Sequence, residues 1–386
     1  MDIDELKKHE FFVIGYEHYN PLGVIRCLGE AGISPTVILL NHKIKIYSKS
    51  RYSKKTYYVN SYEEALDIID GMTFITKPFI IPCDDNIAEL LDLRFDELKD
   101  KYYFSNANGK GIISYYENKW NINNLAKECG LDIIKSWNVT LGEIPSDINY
   151  PIITNPIVSY PGWKNDYYIC NNDEELKIAF SKIKCDKVLL QEYKNKINEF
   201  AFQGVSASEG KKVFYATQTE YTYLLPDYYS MEMIVKKPEY KEMLEKVNEM
   251  FSKIQYEGIF DLEFLLSDDN KLYFLEINFR NSAFIYAPQS IGVNLPVIWA
   301  NSMISNELEI PTYEIKDNYI ALAETADYAH RVMRLKLISK KEWKEHVKKA
   351  DCTFVKNDFD KKPYRLWSIV RLLHPFKKII KKIIRL

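Results

Sequence analysis

Two apolar stretches carry acids at matched spacing. Gly258-Ile-Phe-Asp-Leu-Glu-Phe-Leu-Leu and Lys271-Leu-Tyr-Phe-Leu-Glu-Ile-Asn flank the tetrad Ser-Asp-Asp-Asn, a hairpin pattern over 258–280. A two-residue loop at Asp269-Asn270 sets Glu263 directly opposite Glu276 on one face, and a four-residue loop gives the same pairing. Side chains alternate along a strand, so Asp261 joins Glu263, while Asn278 and Arg280 join Glu276. The intervening Phe260, Leu262, Phe264, Phe274, Leu275 and Ile277 are apolar. Carboxylates among them are costly to bury unless a cation neutralises them.

Two carboxylates and an amide oxygen are hard ligands of the kind Mg²⁺ takes, its shell completed by waters and phosphate oxygens. Arg280 beside them is placed to hold a phosphate oxygen or a charge that develops in transfer. An arbitrary hairpin of this sort is more often an edge with one solvated acidic face. The string Glu-Ile-Asn-Phe-Arg-Asn, with its Glu thirteen residues after a Glu in a matching strand, argues the other way.

The elements that must position these residues read as α/β. Residues 10–16 form a buried strand, followed by Asn20-Pro21-Leu22-Gly23, a helix ending at Gly32 and the strand PTVILL, a β-α-β unit with a parallel sheet. Ser61 opens a helix with a capping-box pattern, 74–82 is an apolar strand, and Asp84-Asp85-Asn86 leads into another helix. The loop after the first strand is not G-x-G-x-x-G, so a dinucleotide site is not expected there. A helix over 121–130, strands at 151–154, 167–170 and 187–191, and a helix opened by Asp173-Glu-Glu follow. Further strands fill 196–236, an amphipathic helix spans 240–255, and 281–304 and 312–346 read as helices and connections.

The 386 residues give two or three domains as a prior. With 46% hydrophobic and 27% charged residues the chain is globular in composition, and a formal charge of −2 gives no reason to expect a nucleic-acid partner. Six cysteines at 27, 83, 129, 170, 185 and 352 form no C-x-x-C pair, which fits reduced thiols rather than a disulfide framework or zinc site. The acidic Met1-Asp2-Ile3-Asp4-Glu5 lacks the features of a signal peptide, and no run approaches the length of a membrane span. The expected address is cytoplasmic.

The hairpin resembles the ATP-grasp superfamily of carboxylate–amine ligases, whose strongest mark is an acid, a Glu thirteen positions on, then x and Asn, as in Glu263, Glu276 and Asn278. The Phe-Arg continuation and Gly292-Val-Asn-Leu-Pro296 look most like the subgroup containing the D-aspartate ligase. The resemblance implies an ATP-grasp fold with a Rossmann-like pre-ATP-grasp domain at 1–97, an N-terminal subdomain at 98–192, a C-terminal subdomain at 193–310 and a helical extension at 311–386. It implies ATP, Mg²⁺ or Mn²⁺, and small-molecule carboxylate and amine substrates. Metal ligands would be Glu263, Glu276 and Asn278, with Arg280 as the catalytic cation.

For the nucleotide the resemblance points to Lys119 near the phosphates, Lys164 in the loop Tyr160–Asn165, the hinge Glu192-Tyr193-Lys194 at adenine, and Glu199 at ribose. One departure stands out. Where the family commonly has I-x-K-P, this chain has Ile153-Thr154-Asn155-Pro156, and a neutral amide does not offset phosphate charge. Either Lys164 or Lys119 compensates, or ATP binding is weakened. The rival reading is therefore a nucleotide-binding protein that has lost ligase activity, with a hydrolase or kinase on the same fold as a third. Ser282, Tyr286 and the aromatic stretch Tyr221–Tyr229 are near enough in sequence to line a substrate pocket.

Residues 361–386 contain nine Lys/Arg and no acid. Leu366, Ile369, Val370 and Leu373 recur at helical spacing before Pro375, and Ile379, Ile380, Ile383 and Ile384 after it, with Pro375 expected to break or kink the two halves. The segment reads equally as contact with an anionic membrane surface, a helix docked on the body, or one made for a protein partner. The first would place the protein peripherally on the inner membrane face, where an envelope precursor becomes a plausible substrate.

Overall fold

The computed structural model describes residues 2–157, 166–225 and 230–383, with side chains described as far as residue 373. Three sheets build the chain. The first is parallel, in the order Lys55–Val59, Thr36–Leu40, Phe11–Gly15, Phe79–Pro82. All five residues of Phe11–Gly15 are buried because helices cover both faces. Leu22, Ile25 and Leu28 of the helix Tyr19–Glu30 pack on one face together with Trp299; Leu66, Ile69, Ile87 and Leu91 pack on the other. That helix starts before the Asn20-Pro21 pair rather than after it, because the His18 ring accepts the Asn20 N–H and Pro21 falls in a first turn that needs no donor. Ser61 caps its helix as expected, but Glu64 reaches back to the N–H of Asn60.

The second sheet is antiparallel, in the order Ser136–Thr140, Lys187–Glu192, Ile152–Pro156, Ile169–Cys170. The helix Asp173–Phe180, capped by Asn172, closes one face over Ile152, Leu176, Val188 and Leu190.

The third sheet has seven strands: Leu272–Asn278, Gly258–Ser267, Lys196–Ala207, Lys212–Tyr221, Glu232–Lys236, Tyr319–Leu322 and Cys352–Thr353. Alternation sends Phe200, Phe202, Phe260, Leu262 and Phe264 against the helices Lys119–Glu128 and Lys241–Ile254. Val205 and Ile259, on the opposite face, join the core shared with the first unit and the helix Leu295–Ser305.

Two expectations need correction. Residues 311–386 are not a purely helical extension: Tyr319–Leu322 pairs with Glu232–Lys236 and then with Cys352–Thr353, so this segment completes the large sheet. A four-residue strand gives too short a pattern to announce itself. Pro375 does not part the tail, because one helix runs from Lys362 to Ile383. Proline removes a single helical hydrogen bond, a cost a helix can absorb without ending.

Candidate functional site

The pairing of Glu263 with Glu276 holds, by an unexpected route. Ser267 and Lys271 close a three-residue turn in which Asn270 takes the left-handed φ of 61° that such turns need. Continued regularly, that register would set Leu275 opposite Glu263 and turn Glu276 toward the phenylalanine core. A bulge at Leu275 intervenes: Phe264 pairs with Phe274, while Glu263 pairs with Glu276 and Asp261 with Asn278. One odd loop and one odd residue cancel.

The resulting face is dense in charge. Lys119 Nζ lies 2.9 Å from Glu276 Oε2. Asn278 Nδ2 donates to Glu263 Oε1 at 3.2 Å, and Arg280 Nη2 donates to Asn278 Oδ1 at 3.1 Å. Arginine has only donors, so the amide atom facing it is the oxygen. Burial drives the Glu263 carboxyl well above its usual range, with Glu276 and Asp261 adding repulsion. Burial likewise raises Asp261 to about 6, against the pull of Arg280. Lys119 shows the reverse: burial opposes its charge, yet Glu276 more than offsets that and its pKa rises. This face is short of positive charge, which is what a divalent cation would supply.

No group of three His, Cys, Asp or Glu side chains placed to hold a metal occurs among the described residues. Glu263, Glu276 and the Asn278 oxygen are a partial shell, which fits an ion that takes its remaining ligands from water and phosphate.

Asp261 also belongs to a polar rung, Thr217–Gln203–Asp261–Asn278, set by strand register. Thr217 Oγ1, both polar atoms of Gln203 and Asp261 Oδ1 are buried with no hydrogen-bond partner among the described residues. Sequence reading put Asp261 on the right face, but Gln203 and Thr217 lie on strands whose neighbours only the fold reveals.

Arg280 reaches across to the first unit. Its Nε bonds Asp85, at the start of the helix Asp85–Leu93, and its Nη1 bonds the Asn281 carbonyl. Around it stand groups from the carboxyl ends of the parallel strands, where α/β sheets open a crevice. Burial lowers His18 to about 4 and raises Tyr16 to about 12, and Tyr62 hydrogen-bonds Asp84. Glu117 is pushed up to about 8 by burial, with Asp85 and Glu89 adding. Ser282 is buried beside Asp261. Tyr286 instead packs under Arg26, donating to Glu30 and accepting from Asn357, so its place is the contact with the helix Tyr19–Glu30.

On the second sheet, Asn155 Nδ2 donates to Gln191 Oε1 at 2.8 Å, Gln191 Nε2 to Ser136 Oγ at 3.0 Å, and Ser136 Oγ to the Ile134 carbonyl at 2.7 Å. A backbone carbonyl only accepts, so it fixes the direction of the whole relay. What Asn155 leaves buried and unpartnered among the described residues is therefore Oδ1, an acceptor at the position where the resemblance leads one to expect a lysine. At the hinge, Glu192 lies 3.6 Å from Lys194, the Tyr193 N–H donates to the Pro151 carbonyl, and Glu199 lies 2.8 Å from Lys196. The whole loop Tyr160–Asn165, Lys164 included, lies outside the described residues, as do 226–229 of the aromatic stretch.

No family model and no curated protein sequence matches the chain. Solved structures do. The biotin carboxylase of Campylobacter jejuni, in a β-γ-ATP complex, is 15% identical with a TM-score of 0.63, over 82% of this chain and 76% of that one. The N5-carboxyaminoimidazole synthetase of Staphylococcus aureus is 16% identical with a TM-score of 0.62, over 87% and 86%. The L-amino acid ligase of Bacillus licheniformis is 14% identical with a TM-score of 0.58, over 76% and 74%. The chain also matches 27% of the length of the Rhizobium etli pyruvate carboxylase. At such identities the likeness speaks for architecture, and the architecture is the ATP-grasp fold with a Rossmann-like parallel domain at its N-terminus.

Proposed function

We propose that this protein is an ATP- and Mg²⁺-dependent ligase that joins a carboxylate to an amine and releases ADP and phosphate. The observation that carries this is the cluster of Glu263, Glu276 and Asn278 on one face of the hairpin, with Lys119 and Arg280 already on its oxygens. Glu263, Glu276 and the Asn278 oxygen would hold Mg²⁺ (Mn²⁺ has the same demands), which when bound offsets charge on the β- and γ-phosphates. Lys119 lies where it can turn from Glu276 to a phosphate oxygen. The substrate carboxylate attacks the γ-phosphorus and ADP departs, leaving an acyl phosphate. Arg280, whose fork has N–H groups beyond those it spends on Asp85, Asn278 and Asn281, steadies the charge on that group. The amine then attacks the acyl carbon, phosphate leaves and an amide results. Glu192, Tyr193 and Lys194 would line the adenine, Glu199 the ribose, and Asn155 and Lys164 the phosphate side.

The likeness of the Glu-Ile-Asn-Phe-Arg string to D-aspartate ligases supports an amino acid as the carboxylate. An acceptor on a cell-envelope precursor is the extension that the basic tail suggests. The rival, a nucleotide-binding protein without turnover, draws on the inward-facing Asn155 acceptor.

Calorimetry with ATP and Mg²⁺, run beside a phosphate-release screen over amino acids and amines, separates the two. The ligase shows ADP release with at least one pair, and Glu276→Gln lowers it on the order of a hundredfold, the scale of losing a preorganised electrostatic contact. Undiminished turnover in Glu276→Gln would remove the metal-site assignment, while binding without turnover on any pair favours the rival.

A further inference from the structure

Among its described side chains, the last helix is anchored by one face and exposed on the other. Tyr364, Trp367 and Arg371, at i, i+3 and i+7, share a face. Trp367 meets the Tyr328 ring at 5.7 Å and the Trp343 ring at 6.1 Å, and Tyr364 stacks on Trp367 at 5.5 Å. The Arg371 guanidinium sits over all three remaining rings, 4.6 Å from Trp367, 4.9 Å from Tyr328 and 5.6 Å from Trp343. An arginine held by three aromatic faces fixes the root of this helix to the body.

At about 100° per residue, Ile369, Leu372 and Leu373 fall on the side away from that anchor. They are 52%, 65% and 49% exposed. The helix continues through Pro375, and in the sequence Phe376, Ile379, Ile380 and Ile383 keep the same helical spacing. Among the described side chains the stripe is Ile369, Leu372 and Leu373, three large groups turned to solvent. Between the later apolar positions of the sequence come Lys377, Lys378, Lys381 and Lys382, and 361–386 contain no acid.

We infer that this face seats on an anionic phospholipid bilayer, the helix lying in the plane of the interface. The charge pattern selects that occupant. Each Lys or Arg near an anionic surface contributes about 1 kcal/mol, and long lysine stems reach headgroups while the apolar stripe enters the acyl boundary. A protein partner would have to bury an interface ringed by lysines, a residue type depleted there. Among the described residues no helix is long and apolar enough to cross a membrane, so the contact is in-plane rather than spanning. Docking by the Tyr364–Trp367–Arg371 face leaves the stripe free to do this while the body stays attached. The inference stands apart from the ligase reading, since it concerns where the protein sits and not what it turns over.

The test uses the full chain, sedimented with vesicles of phosphatidylcholine alone and of phosphatidylcholine with phosphatidylglycerol. The expected result is pelleting with the anionic vesicles only, weakened by salt. The double substitution Leu372→Asp/Leu373→Asp should lower the partition by more than about tenfold, with unchanged thermal melting and unchanged ATP binding in solution. Full chain that stays in the supernatant with anionic vesicles overturns the inference, as does pelleting indifferent to the double substitution. A dimer in light scattering that the substitution abolishes, without vesicle binding, would assign the stripe to a second copy instead.

Discussion

Glu117 shows how this site prices charge. Its carboxyl sits on the segment leading into the helix Lys119–Glu128, near Asp85 and Glu89, and burial with their repulsion lifts it from 4.5 to about 8. Between those values the native protein keeps a proton that the unfolded chain releases, so the native state loses ground as pH rises from about 5 to 8. Glu117→Gln removes that slope: its melting temperature should gain on the parent's between pH 5 and pH 8. A gap that is constant or narrows over this range would show that Glu117 is ionised in the native protein. At this scale the sequence was readable where chemistry is local. Glu263, Glu276, Asn278 and Arg280 share the face that strand alternation gave them, while Lys119, which only the resemblance pointed to, reaches Glu276 from 157 positions away. Asp85, His18, Gln203 and Thr217 did not stand out, since each gains its role from a neighbour on another element.

Among the elements, the hairpin gives the sharpest lesson. Parity alone put both glutamates on one face, whereas the chain reaches that face through a three-residue turn compensated by a bulge. Leu275 is the surplus residue. Deleting it should leave Phe274 opposite Phe264 and Glu276 opposite Glu263, so the deletion variant is expected to keep Mg²⁺-dependent ADP formation within about tenfold of the parent. Loss of activity in a variant that is still folded by circular dichroism would mean that the bulge itself aims Glu276. Long alternating strands and capped helices were legible because burial on one face writes a period into the sequence. Lys55–Val59, Tyr319–Leu322 and Cys352–Thr353 were not: they are short, and partners remote in sequence decide that they pair.

The whole molecule is tied across its units by buried charge. Arg26, fully buried on the helix Tyr19–Glu30, donates to Asp360 Oδ2 at 3.0 Å and to the carbonyls of Phe354, Val355 and Asp360. Glu324 accepts the N–H groups of Phe354, Val355 and Lys356 from the other side. Residues 354–360 are thus clasped between the first unit and the large sheet. Arg26→Met strands a buried Asp360 and should cost about 3–5 kcal/mol in urea unfolding, with a smaller loss when Asp360→Asn accompanies it. A single variant as stable as the parent would mean that neither the ion pair nor the carbonyl contacts of Arg26 hold the segment.

The Lys119–Glu276 contact ties the first residue of the helix Lys119–Glu128 to the hairpin strand Leu272–Asn278, within the core they share. In the bare protein this lysine acts as an internal counterion. On the proposed function a divalent ion would compete with it for Glu276, and a triphosphate would compete with Glu276 for the lysine. Each would therefore find the contact already broken once the other had bound. By linkage the two ligands would raise one another's affinity by the same factor.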